Sequence, residues 1–313
     1  MKINSVTGAL DLDNLGYTLI HEHMRTRSEA VAVQFPHLYD EQEEFELAVR
    51  QVAEAKRFGV KTIFDPTVMG LDRDVQLMKR ISRETGVQII PATGVYTFNF
   101  LPSRFAVNSI AFLADQFIRD IEVGIQNTGI KAGFLKCAAD AQGITPDVEK
   151  VIRAVARAHL QTGLPIMTHS HPATETGLRQ VEIFKEEGVN MGRVLIGHCG
   201  DTDNLEYIEK VLDYGVFIGM DRYGLTKALS TEKRNETVKK LADKGYADRM
   251  FLSQDYCCTT DMYKPNHLKK EAYPDWSMTF LLREVIPTLL EQGITDEQIQ
   301  IMMVENVKSW FSK

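Results

Sequence analysis

No apolar run in the 313 residues approaches the roughly 20 needed to cross a bilayer as a helix. The opening MKINSVTGALDLDNLG lacks the hydrophobic stretch of a cleaved secretion signal, so a cytoplasmic location is expected. Cysteine is scarce. Cys137, Cys199, Cys257 and Cys258 do not make a disulfide framework in a chain this long, and adjacent Cys257 and Cys258 are poorly placed to bridge each other. Basic residues are the minority, 36 against 43 acidic ones for a net charge of -7, which argues against nucleic acid or an anionic membrane as partner. No low-complexity tract, Pro/Ser-rich linker or charge block divides the chain, so 1–313 is expected to form a single domain.

What is present is an alternation. Short β-branched runs occupy 18–23 (TLIHEH), 62–67, 88–96, 132–139, 165–171, 194–200, 217–223 and 250–256. Each is apolar in its first half and polar at its end, as a buried parallel strand reads when its C-terminal end meets a cleft. Helical periodicity lies between them, as in Phe45, Ala48, Val49, Val52 and Ala53, or Val148, Val151, Ile152, Val155, Ala156, His159 and Leu160. Thr145, Pro146 and Gly163 supply start and stop signals for the second of these. Thr295 and Gln298 stand at capping-box spacing, and Pro287 should kink or shorten a helix over 277–292. Eight such strands in about 240 residues point to an α/β fold, the (β/α)8 TIM barrel, with a short N-terminal cover. The rival, an open dinucleotide-binding sheet, needs a glycine-rich first turn, whereas the first strand here ends in His-Glu-His.

Barrel enzymes carry their chemistry at the C-terminal strand ends. Those ends hold His21 and His23, Lys136, His169, His198 and Asp255. His21 and His23, two apart in a strand, share a face and can share a metal. Each residue also has a plain reading: a lone lysine in an apolar strand is an ion-pair partner, and a lone aspartate caps a helix. Four of the eight histidines nevertheless fall at equivalent ends of three strands. The set is too large for one tetrahedral ion and about right for two, with zinc favoured and cobalt, iron or manganese compatible. A protonated lysine has no lone pair, but burial beside cations lowers its pKa. The neutral amine can then take up carbon dioxide and bridge two ions as a carbamate.

These motifs resemble the phosphotriesterase family of the amidohydrolase superfamily: His21-Glu22-His23, Lys136 in FLKCAAD, His169 in THS, His198 in GHCGD and Asp255 in SQDY. Gly94-Val95-Tyr96, the run Met220-Asp221-Arg222-Tyr223-Gly224 and the paired Cys257-Cys258 are similar to its phosphotriesterase-like lactonases. The resemblance implies hydrolysis of N-acyl-homoserine lactones (quorum quenching) and other lactones, weaker action on organophosphate triesters, and a homodimer. It implies that His21, His23 and Asp255 hold a buried ion, that His169 and His198 hold a more exposed one, and that carboxylated Lys136 bridges them. Asp255 would relay a proton, Tyr96 would hydrogen-bond the lactone, and Arg222 would order the substrate loop. His171 departs from the pattern and is open as a neighbour of the site or a competing ligand. Met262, Tyr263, Tyr273, Pro274 and Trp276, with Phe98 and Phe100, are candidates for an acyl-chain groove. A phosphotriesterase or other carboxylic-ester hydrolase is the alternative; a sugar isomerase or a non-catalytic metal-binding protein fits less well. His159 reads as a packed core histidine, His37 and His267 as surface residues.

Overall fold

The computed structural model describes residues 1–261 and 266–312. An antiparallel hairpin of β1 (Lys2–Ser5) and β2 (Gly8–Asp11) precedes the barrel strands. These are β3 (Tyr17–Leu19), β4 (Glu22–Thr26), β5 (Val60–Asp65), β6 (Gln88–Gly94), β7 (Phe134–Ala138), β8 (Ile166–His169), β9 (Val194–Ile196), β10 (Phe217–Met220), β11 (Met250–Leu252) and β12 (Tyr256–Thr260). Eight of them form one parallel sheet in the order β3-β5-β6-β7-β8-β9-β10-β11, with helices between, as expected of a (β/α)8 barrel.

The first and last strands differ from their predicted form. Each is broken, at 20–21 and at 253–255, and the outer pieces β4 and β12 pair with each other in parallel, Tyr256 opposite Glu22 and Cys257 opposite His23. The segment from Tyr256 therefore starts as a strand rather than a loop. Glu22 is the physical reason. Fully buried in the seam, it accepts from Ser253 Oγ (2.7 Å), Gln254 N (3.0 Å) and Nε2 (3.3 Å), and Tyr256 N (2.7 Å). Backbone donors that a sheet ladder would have used end on a carboxylate instead. Asp255 N to His21 O at 3.0 Å completes the closure.

Ile20, Phe64, Ile90, Phe134, Met167, Leu195, Phe217 and Phe251 fill the barrel, and Leu12, Leu15, Trp310 and Phe311 floor it. Trp310 stands 5.9 Å from Phe64, ring to ring, and its Nε1 donates to Arg193 O at 3.0 Å. Outside, the helix Pro146–Thr162 begins with Thr145 Oγ1 accepting from Val148 N and ends at left-handed Gly163, as its sequence signals require. Its His159 is buried and bonded through Nδ1 to Leu164 O at 2.7 Å. The Thr295 capping box forms. Proline 287 leaves a π-helical turn, Leu281–Val285, before the helix Ile286–Glu291. No described helix is long and apolar enough to cross a membrane.

Candidate metal centre

The six predicted ligands meet at the C-terminal mouth of the barrel, in a cavity of about 640 Å³. Lys136 is held there by β7, whose backbone β6 approaches so closely that a Cβ at Gly94 (φ 150°) would lie 1.8 Å from Lys136 O. His198 and Asp255 lie just beyond their strands with φ of 65° and 51°. Such left-handed backbone is uncommon outside glycine and concentrates at functional sites.

Hydrogen bonds behind the imidazoles decide where their lone pairs point. One carboxylate, Asp221, takes His21 Nδ1 at 2.7 Å on one oxygen and His198 Nδ1 at 3.0 Å on the other. Asp140 takes His169 Nε2 at 3.0 Å. These nitrogens therefore carry the protons, which leaves His198 Nε2 and His169 Nδ1 as bare acceptors facing each other at 3.0 Å. Burial keeps all three rings neutral by lowering their pKa, that of His169 to about 4. His23 is fixed by Thr67 Oγ1 at 2.7 Å. Its Nε2 lies 3.1 Å from Asp255 Oδ1, which is also 3.5 Å from His21 Nε2. His21, His23 and Asp255 make one cluster able to hold an ion.

Lys136 Nζ lies 3.3 Å from the lone pair of His21 Nε2, and no carboxylate pairs with it among the described residues. Burial pulls this amine down to about 8. The facing imidazole nitrogens are poorly satisfied by one another, and they, with Lys136 once deprotonated, can donate lone pairs to cations. The residues present fit a divalent metal centre.

Arg222 pairs with two carboxylates. Its Nε donates to Asp255 Oδ2 and its Nη1 to Asp201 Oδ2, both at 2.9 Å. Tyr96 Oη stands 3.3 Å from His169 Nδ1, and burial keeps the phenol protonated. His171 does not enter the cluster: its Nδ1 meets Thr174 Oγ1 at 2.9 Å near the rim. Cys137 and Cys199 are buried away from the ligands' chemistry, with thiols pushed up by burial. Phe98, Tyr273 and Trp276 line the cavity; Phe100, 76% exposed, does not. Exposed Pro274 is likewise absent from its lining. Met262 and Tyr263 lie outside the described residues, as does the side chain of His267, whereas His37 is exposed. Sequence reading missed Asp140, Asp201, Asp221 and Thr67, although the first three stand inside the motifs FLKCAAD, GHCGD and MDRYG. Asp65 supports the site indirectly, accepting from Met24 N and Thr67 N.

The sequence matches the phosphotriesterase family over residues 1–311. It is 51% identical to an aryldialkylphosphatase of Saccharolobus solfataricus, across 97% of each chain. The structure of the phosphotriesterase from Mycobacterium tuberculosis superposes with a TM-score of 0.96 at 41% identity, covering 100% of this chain and 98% of that one. A second structure, described as organophosphate hydrolysis activity engineered from a weak promiscuous lactonase template, superposes at 0.92 with 28% identity over 100% of both chains.

Proposed function

The chain belongs to the phosphotriesterase family of hydrolases, and from its site we propose a two-metal lactonase. It opens N-acyl-homoserine lactones and related lactones, a quorum-quenching activity, and acts more weakly on organophosphate triesters. The observation that carries this reading is the convergence of bare imidazole acceptors, Asp255 and an amine without a counter-ion on one cavity.

His21, His23 and Asp255 would hold one ion, His169 and His198 the other, zinc in the first instance. Lys136, carboxylated at Nζ by carbon dioxide with loss of a proton, would complete the ligand set between the two. Two such ions supply an attacking water of lowered pKa and a Lewis acid for the scissile carbonyl.

The chain's own residues do the rest. Asp255, kept anionic despite its burial by its hydrogen bonds with His23 and Arg222, takes the proton of the attacking water and returns it to the departing ring oxygen. Arg222 holds Asp255 Oδ2 during that transfer. Tyr96 donates to the lactone oxygen from its place beside His169. Phe98, Tyr273 and Trp276 flank the acyl chain. The small-molecule substrate needs neither nucleic acid nor membrane. A cytoplasmic homodimer completes the reading; Val33, Phe35 and Leu38, exposed by 67%, 51% and 56%, offer a second protomer an apolar surface.

Principal activity on phosphotriesters or other carboxylic esters is the alternative, supported by the identity to the aryldialkylphosphatase. Kinetics on an acyl-homoserine lactone and on paraoxon, with metal analysis of the same sample, decide between them. A higher kcat/KM for the lactone supports the first reading; a higher value for paraoxon supports the second; metal-free protein inert after reconstitution refutes both.

A further inference from the structure

Asp201 has two oxygens and two arginines. Oδ2 accepts from Arg222, which reaches onward to Asp255; Oδ1 accepts from Arg234 Nη2 at 2.9 Å. Arg234 comes from the helix Thr231–Asp243, is completely buried, and does not line the cavity. The same guanidinium donates through Nε to Gly200 O at 2.8 Å and through Nη2 to Leu225 O at 3.4 Å. Nη1 is buried with no partner among the described residues, so these three acceptors set its place.

We propose that Arg234 is a positioning residue of the reaction: it locks Asp201, through Asp201 it aims Arg222 at Asp255, and it pins the substrate loop that follows β10. The inference rests on the proposed hydrolase function and adds to it a residue that touches neither substrate nor ligand.

Three features carry it. First, the chain of charges alternates without a gap, Arg234–Asp201–Arg222–Asp255, and each carboxylate in it uses separate oxygens for its two neighbours. A carboxylate gripped on both oxygens cannot rotate, so the Arg222 fork it holds is fixed as well. Second, Arg234 bonds the segments after β9 and β10 at once, and Leu225 of the second segment lines the cavity. Third, the contact is close-fitted. A Cβ at Gly200 would lie 3.0 Å from Met220 Cα and 3.4 Å from Arg234 Nε, so the glycine lets the turn sit tightly on the end of β10 with the arginine in van der Waals contact behind it. Lysine at 234 would keep the charge but not the fork that serves three acceptors.

The experiment compares holoenzyme of Arg234→Lys and Arg234→Met with the parent. Hydrogen–deuterium exchange is followed over 199–203 and 222–229, with metal content, Tm, and kcat and KM on an acyl-homoserine lactone. The folded lysine variant should keep its metals, exchange faster in those two segments alone, and lose about tenfold or more in kcat, the range of an outer-shell partner. A double-mutant cycle with Asp201→Asn should be strongly non-additive, because Arg234 acts through Asp201. Parent-like exchange with unchanged kcat in the folded lysine variant overturns the proposal, and so does an additive cycle. If Arg234→Met fails to fold, the lysine variant decides. A parent protein that hydrolyses neither lactone nor phosphotriester overturns the proposed function instead, and the exchange data still decide whether Arg234 pins both segments.

Discussion

Asp140 takes the Nε2 proton of His169 at 3.0 Å and thereby turns the Nδ1 lone pair of that ring toward His198. The hydrogen bond holds the Asp140 carboxyl well below the usual carboxylate range. Asp140→Asn removes the charge that fixes the tautomer. It should weaken the more exposed ion about 10- to 100-fold and leave the other in place. Chelator titration with metal counting checks this; simultaneous loss of both ions would refute it.

Lys136 meets an imidazole rather than a carboxylate, which favours the neutral amine that carbon dioxide requires. Metal-stripped protein should regain zinc and activity faster with bicarbonate than without it. Lys136→Met should show no bicarbonate response. Equal recovery of the parent in both buffers would exclude the carbamate.

Glu22 takes four donors across the seam, and burial raises its carboxyl to about 8. Glu22→Ala leaves those donors unsatisfied in a dry interior. The loss should be about 3 kcal/mol or more, with Glu22→Gln milder because the shape and one acceptor survive. Denaturant unfolding of the two variants gives the comparison, and equal midpoints would contradict the role given to Glu22.

His159 is held neutral, its pKa lowered by burial from 6.5. The unfolded chain takes up a proton below that value before the native state does. Stability from this group is therefore present above pH 6.5 and falls as the pH drops toward its folded pKa. In His159→Gln the slope of Tm against pH between 6.5 and 5 should be shallower than in the parent, although other buried histidines keep it from vanishing. Parallel slopes would mean that His159 is not part of acid lability.

The barrel and the six candidate ligands were legible because both depend on local pattern: an apolar run, then a polar strand end. His21, His23, Lys136, His169, His198 and Asp255 all stand where that pattern places them. The carboxylates behind them were not, since Asp221 matters only because the ends of β3, β9 and β10 bring two imidazoles within reach of one side chain. Glu22 stands in the His-Glu-His motif without a role of its own there, because no one-dimensional signal marks a seam. The left-handed turns at His198 and Asp255 are likewise products of closure, since neither residue type demands them. Arg222 showed its motif but not its two partners, which arrive from separate strand ends.

The joint between the first and last strands would be the first place to feel the loss of the proposed ions. His21 and His23 stand on one lip of that joint and Asp255 on the other, so a cation shared by them would act as a hasp across the seam where β3 and β11 do not pair. Demetallated material should gape there before any other pair of neighbouring strands parts, and heat and chelators should find the same weak place.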